Sequence, residues 1–280
     1  MPDMPEELSP KADIAALVPL LELRNRIGFV YGSEEIAILL YALVRRERPA
    51  VMLELGTGLG VTAFWMAQAA KENGGGHLWT LDDGSHWEEP GKFQAAMNAL
   101  GEAPPFDALD KPALDYPTFM TCMVELLDLG RQMTFMKEHV DVAKEEDFTP
   151  ARYPFLEWPI DLVFLDINRT PDEILDALTL LLPHLSDAAS VFIDSASTSL
   201  SSYLFLEKLV DQLNHSKVPR RFLLAQSPER RQALTELVAR RKFTLVHLIE
   251  RANRAQNSTA WLKIEPIDYV PHPKTLMKWV

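Results

Sequence analysis

Within seven residues, Glu54-Leu55-Gly56-Thr57-Gly58-Leu59-Gly60, the chain passes from a short apolar run into three glycines at alternate positions. Ala50 to Leu55 has the length and composition of a buried strand, and Val61 to Lys71 carries helical spacing. Glycines at 74–76 then break the helix, and His77 to Leu81 reads as a second strand ending in Asp82-Asp83-Gly84. Strand, glycine turn, helix and strand in about thirty residues make one parallel unit. Three glycines there let the backbone turn sharply and bring its amides against a group held at a helix N-terminus.

The same alternation resumes downstream. A helix is expected over Thr118–Leu129, a strand over Met133–Lys137, a strand over Asp161–Asp166, a helix over Pro171–Leu182 and a strand over Ser190–Asp194. That order predicts an α/β fold, a doubly wound and mostly parallel sheet. Helices over Ser201–Leu213 and Pro228–Arg241 lead to two runs, Phe243–Glu250 and Thr259–Ile264, best joined as an antiparallel hairpin. Ahead of the first strand, helical spacing over Ile14–Arg24 and Ser33–Arg46 predicts two helices, with Ser33 as an N-cap. The expected organisation is an N-terminal helical extension over 1–48, a main domain over 49–266 and a tail over 267–280. The Pro-, Ala- and Asp-rich stretch 88–116 is long for a connection in such a sheet and reads as a lid-like insertion over the site.

Composition narrows the function. A formal charge of −12 repels a phosphate backbone, so no nucleic-acid partner is expected. Arginines at 220, 221, 230, 231, 240 and 241 are the exception, and a solvated helical face or a docking patch would account for them. Cys122 is the sole cysteine, which excludes an intrachain disulfide and a cysteine-rich zinc site. The N-terminus has no basic-then-apolar leader, and apolar runs such as Leu178–Leu182 fall far short of the ~20 residues that span a bilayer. A cytoplasmic protein without a membrane partner is the expectation. The two leading helices are able to pair across a homodimer as readily as to cover one subunit.

A carboxylate at the end of the second strand can accept hydrogen bonds from both hydroxyls of a ribose, and Asp82 stands there. An adenosine-containing cofactor is implied. At these residues the sequence resembles the class I S-adenosylmethionine-dependent methyltransferases, whose first motif looks like Glu54 to Gly60 and whose second strand ends in an acid like Asp82. The resemblance implies a seven-stranded sheet with one reversed strand, to which the C-terminal hairpin corresponds. It also implies that Gly56, Thr57, Gly58 and Gly60 hold the methionine portion of S-adenosylmethionine, that Glu54 approaches its amino group, and that Asp82 takes the ribose, with Asp83 beside it in the cofactor site. Val140 and Asp141 would edge the adenine.

The chemistry is expected at the C-terminal ends of the strands. Asp166 and Asp194 each end an apolar run, and with Ser195 they offer oxygen ligands suited to Mg²⁺ or another divalent cation. This pattern looks like the catechol-type, cation-dependent O-methyltransferases, except that Ser195 stands where those have an asparagine. Methyl transfer from a sulfonium needs alignment and an unprotonated acceptor. Asp166 is the first candidate for the proton acceptor and for the edge of the cofactor site, with His86 and His139 behind it. For Asp194 a helix-capping role, and for His139 a surface role, are the ordinary alternatives.

Trp87, Phe93, Met97, Phe106, Tyr116, Phe119, Met120 and Met123 crowd the insertion and the following helix, as core or as an apolar acceptor pocket. Methyl transfer to a small-molecule hydroxyl is therefore expected. Metal-free transfer to nitrogen or carbon, a noncatalytic cofactor-binding relative and a nucleotide-dependent oxidoreductase are the competing readings. The spacing Gly-x-Gly-x-Gly, rather than Gly-x-Gly-x-x-Gly, counts against the last.

Overall fold

A computed structural model of the protein describes residues 14–27, 34–102, 104–142, 148–166, 170–197, 199–224, 227–249 and 258–267. Ser33, the polar segment 251–257 and the tail beyond 267 lie outside the described residues. Seven strands form one sheet in the order β3-β2-β1-β4-β5-β7-β6. They are β1 (Val51–Leu55), β2 (His77–Asp82), β3 (Met133–Lys137), β4 (Ile160–Leu165), β5 (Leu185–Asp194), β6 (Arg241–Ile249) and β7 (Ser258–Pro266). This is the Rossmann-like arrangement with an antiparallel C-terminal hairpin that the alternation predicted. The chain divides into two compact units, one holding the described residues of Met1–Val140 and Val163–Ile167, the other those of Asp141–Leu162, Asn168–Ile249 and Ser258–Val280.

In the first unit β1 runs parallel to β2, with Val51 opposite His77 and Leu55 opposite Leu81, and β2 runs parallel to β3. Every residue of β1 is buried, which is why, Glu54 apart, it reads as a continuous apolar run rather than an alternation. Helix α3 (Val61–Asn73) is buried from Val61 to Ala70 except Thr62, and its alanines keep it thin enough to be covered on nearly all sides. It ends at Gly74, whose φ of 73° lets its amide turn back to the Lys71 carbonyl at 3.0 Å. Helices α1 (Ile14–Ile27) and α2 (Glu34–Glu47) pack on α3, and Arg45 reaches Glu72 at 3.2 Å between them.

The stretch 88–116 is folded. After α4 (Ser85–Glu88), helix α5 (Lys92–Leu100) packs on α1 and buries Ala96, Met97 and Leu100, and two single-turn 3₁₀ segments follow before α6 (Tyr116–Leu126). Met97, Phe106, Phe119, Met120 and Met123 are all fully buried, so these side chains are core. A helix of nine residues escaped the sequence reading because Pro and Gly flank it closely on both sides.

In the second unit β7 pairs antiparallel with β5 and with β6, Asp194 lying opposite Thr259 and Ile249 opposite Ser258. Helix α7 (Pro171–Leu181) opens on a capping box: the Thr170 amide donates to Glu173 at 3.0 Å, the Glu173 amide returns to Thr170 Oγ1 at 3.4 Å, and Pro171 takes the first turn. Strand β5 begins at Leu185, five residues earlier than its apolar run suggests, where the buried Arg241 guanidinium donates to the Leu185 carbonyl and meets Asp187 at 3.2 Å. Helices α8 (Leu200–Asn214), α9 (Arg220–Leu224) and α10 (Pro228–Ala239) complete the unit. Within the arginine-rich stretch, Arg221 is engaged by Asp172 and Asp176 of α7, an intramolecular use of that charge. Among the described residues no helix is long and apolar enough to cross a membrane.

Candidate cofactor site

The turn after β1 is built as its glycines require. Gly56, Gly58 and Gly60 all have positive φ, 92°, 54° and 79°, which side chains other than glycine rarely adopt. The Gly56 amide donates across to the Leu81 carbonyl at 2.8 Å, tying the turn to the end of β2, and Gly60 closes on the Thr57 carbonyl at 2.9 Å to start α3. A Cβ on Gly60 would meet the Phe64 ring at 2.5 Å.

Asp82 fastens the turn from the neighbouring strand. Its carboxylate accepts the Gly58 amide at 2.9 Å and the Gly84 amide at 2.7 Å, with the Thr57 amide adding to them. Burial raises its pKa, and the backbone donors oppose that rise by favouring the charged form. A carboxylate offers about four acceptor positions, so these donors leave room for little more than one further partner.

Beneath the turn lies a hydrogen-bonded chain that no motif announced. Thr57 Oγ1 and Thr80 Oγ1 are 2.6 Å apart, and Thr80 donates to Glu54 Oε2 at 2.5 Å. Glu54 is wholly buried, and its Oε1 has no hydrogen-bond partner. Burial pushes the Glu54 pKa well up, Thr80 opposes the rise, and the carboxylates of Asp166 and Asp82 add to it. Thr80 had one sequence signal, a lone hydroxyl in an otherwise apolar segment of β2.

Asp166 stands directly after β4, its amide donating to the Leu55 carbonyl at 2.8 Å. The fold thus brings Asp166 to the end of β1 together with Glu54 and Asp82. Asp83 is bound by Ser85, whose amide lies 2.8 Å from Oδ1, and by His139, whose Nδ1 lies 3.0 Å from Oδ2; both hold the carboxyl below the usual range. His139 is exposed, and Val140 after it is half-buried. Asp141 belongs to the other unit. His86, on α4, is exposed; its ring meets Trp87 edge-on, and its polar neighbours are Lys92 at 3.4 Å and Glu89 at 4.0 Å.

Tyr116 is the second feature that the sequence reading left among packing residues. Its ring lies against Trp87 and Phe135, and a Cβ on Gly84 would strike it at 2.8 Å. Its hydroxyl is buried with no partner at hydrogen-bonding distance and angle, although Asp82 stands near enough to interact with it. Burial, the Asp82 and Glu54 charges, the approach of the hydroxyl to the Asp82 carboxylate and the Asp83 charge drive its pKa far up, so the phenol keeps its proton.

In the second unit Asp194 is 3% exposed and ends β5. Its Oδ2 accepts from the Ser195 hydroxyl at 2.7 Å and its Oδ1 from Thr259 at 3.2 Å. Ser195 itself has a φ of 56°. Among the described residues no three His, Cys, Asp or Glu side chains come together to hold a metal ion. With a hydroxyl on each oxygen of Asp194, the arrangement lends no support to a divalent-cation site on Asp166, Asp194 and Ser195.

The sequence profile of the methyltransferase domain matches residues 53–196, which is more than half of the chain and runs from the glycine turn past Asp194. The chain belongs to this methyltransferase family. It is a class I, S-adenosylmethionine-dependent methyltransferase by fold and by family.

Solved methyltransferases similar to it include the O-methyltransferase TomG from Streptomyces achromogenes, involved in tomaymycin synthesis and in complex with S-adenosylmethionine. That chain is 16% identical, with a TM-score of 0.47 and 92% of each chain covered. The O-methyltransferase from Bacillus cereus in complex with S-adenosylhomocysteine is 14% identical, with a TM-score of 0.48 and coverage of 92% of this chain and 94% of that one. The S-adenosylhomocysteine-bound methyltransferase PaMTH1 from Podospora anserina is 14% identical, with a TM-score of 0.45 and coverage of 90% and 88%. No curated protein is a significant match.

Two features of the methyltransferase site fit a cofactor with cationic groups. The bare Glu54 oxygen needs a donor, and the charges that act on Glu54 are both negative. A ligand bearing an ammonium and a sulfonium answers both conditions.

Proposed function

We propose that this methyltransferase moves a methyl group from S-adenosylmethionine to a hydroxyl oxygen of a small molecule. The observation that carries the cofactor part is Glu54 Oε1, a buried carboxylate oxygen without a partner, below the glycine turn and among further carboxylates. When bound, S-adenosylmethionine supplies an electrophilic methyl on a positively charged sulfur. Glu54 receives the ammonium of the amino-acid portion, its charged form becoming favourable as the cation arrives. Gly56 to Gly60 shape the backbone that carries this portion, and Asp82 accepts from the ribose. Asp83 and Val140 border the nucleoside, with Asp141 following in the chain.

Asp166 supports the choice of oxygen. A carboxylate at the end of β4, tied through its own amide to the end of β1, would take the proton that a hydroxyl acceptor must lose. His139, exposed beside Asp83, is the second candidate for that proton, and His86 the third. Transfer to nitrogen or carbon is the alternative, favoured by the hydroxyls that occupy Asp194.

The test is calorimetric titration of chelator-treated protein with S-adenosylhomocysteine, in parallel with NAD. Saturable binding of the former, weakened a hundredfold or more in Asp82→Ala, is expected, because the variant strips the turn amides of their acceptor as well as the ribose. Binding of NAD alone would sink the proposal. Asp166→Asn, assayed with hydroxyl- and amine-bearing acceptors, then separates the two chemistries: loss of turnover on hydroxyls with cofactor affinity kept is the expected result.

A further inference from the structure

The hydroxyl of Tyr116 is a buried polar group whose position the packing fixes and whose near acceptor, Asp82, does not meet it at full hydrogen-bonding geometry. Three surroundings hold the ring: Trp87 lies against one side with centroids 6.2 Å apart, Phe135 meets it edge-on at 5.6 Å, and the absent side chain of Gly84 makes room for it. Gly84 is also the residue whose amide binds Asp82. The tyrosine and the ribose acid are thus built around one glycine. A buried hydroxyl without a well-formed hydrogen bond is unfavourable, and phenylalanine would fill the same space without that cost.

The acceptor arithmetic at Asp82 points to what the hydroxyl awaits. A ribose presents two adjacent hydroxyls, whereas the amides of Gly58, Gly84 and Thr57 leave Asp82 about one free acceptor position. One ribose hydroxyl therefore lacks a partner unless a neighbouring group provides it. We propose that the Tyr116 hydroxyl binds the ribose of the cofactor together with Asp82, donating to one ribose hydroxyl while Asp82 accepts from the other. This rests on the methyltransferase reading and extends it to a residue outside the glycine motif. The phenol keeps its proton among the surrounding carboxylates, so it enters this contact as a donor.

Two probes separate the ends of the cofactor: S-adenosylhomocysteine, and 5′-methylthioadenosine, which keeps the nucleoside and lacks the amino-acid portion. Their affinities are measured by calorimetry on the wild-type chain and on Tyr116→Phe, with thermal melts of both proteins. The expected result is that the variant melts at the same temperature or higher, having lost only an unpaired hydroxyl. Its affinity for both probes falls about three- to tenfold, the effect of one neutral hydrogen bond. Unchanged affinities would make Tyr116 a packing residue and overturn the proposal. A loss confined to S-adenosylhomocysteine would place the hydroxyl at the amino-acid end beside Glu54, which also overturns it. A lower melting temperature would show that the hydroxyl already has a protein partner, removing the premise. Failure of the wild-type protein to bind either probe is distinct from these, because it removes the cofactor reading and this inference with it.

Discussion

Glu54 near the end of β1 and Asp194 at the end of β5 are both buried carboxylates, one in each unit, and the protein treats them oppositely. Asp194 has a hydroxyl on each oxygen, from Ser195 and Thr259. Glu54 has Thr80 on one oxygen, nothing on the other, and two negative neighbours. Burial of a charged group is costly unless partners compensate, so a completed set of donors marks an acid that serves the fold, and an incomplete set marks one that waits for a ligand. Sequence position alone would have ranked the two alike, since each closes an apolar run at the ligand-binding edge of the sheet.

The sharpest way to break this contrast is to neutralise each acid and measure S-adenosylhomocysteine binding. Glu54→Gln is expected to weaken it about ten- to a hundredfold, the range for a hydrogen bond to a charged group. Asp194→Ala should stay within about twofold of wild type, and the reverse pattern would invert the assignment.

Stability should divide the other way. Asp194→Ala leaves two buried hydroxyls without their acceptor and is expected to cost about 1–3 kcal/mol in denaturant unfolding. Glu54→Gln should unfold at the same denaturant concentration as wild type or higher.

Dependence on pH sharpens the point. The folded pKa of Glu54 lies above its unfolded value of about 4.3, so the folded state retains a proton that the unfolded state releases. Stability attached to this group is therefore greatest below about pH 4.3 and declines as the pH rises through the folded value. Subtracting Glu54→Gln from wild type isolates it, because the rise at Asp82 is common to both proteins. The stability difference, wild type minus variant, should fall with increasing pH in ligand-free protein; a flat or rising difference would contradict the burial of Glu54 as an unpaired acid.

The smallest expected effect concerns metal. Magnesium added to chelator-treated protein should leave the melting temperature unchanged in wild type and in Asp194→Ala alike. A saturable rise in wild type, absent from the variant, would restore the cation site.

The sequence by itself determined the parallel β1-α3-β2 unit, the glycine turn, the place of Asp82 at the end of β2 and the closing hairpin. Each is encoded by neighbours in the chain: glycines where φ must be positive, apolar runs where a strand is covered on both faces, and Thr170-Pro171 with Glu173 where a helix starts. Only the tertiary structure decided which acids are satisfied. The donor to Glu54 comes from Thr80, 26 residues away, and that to Asp194 from Thr259, 65 residues away, both across strands. It also decided that His139 meets Asp83 across 56 residues whereas His86 turns to Lys92 at the start of the next helix, and that Tyr116 lies beside Asp82. Hydrogen-bond completion at a buried oxygen depends on distances of a few tenths of an ångström between segments remote in sequence, and local pattern carries no record of it.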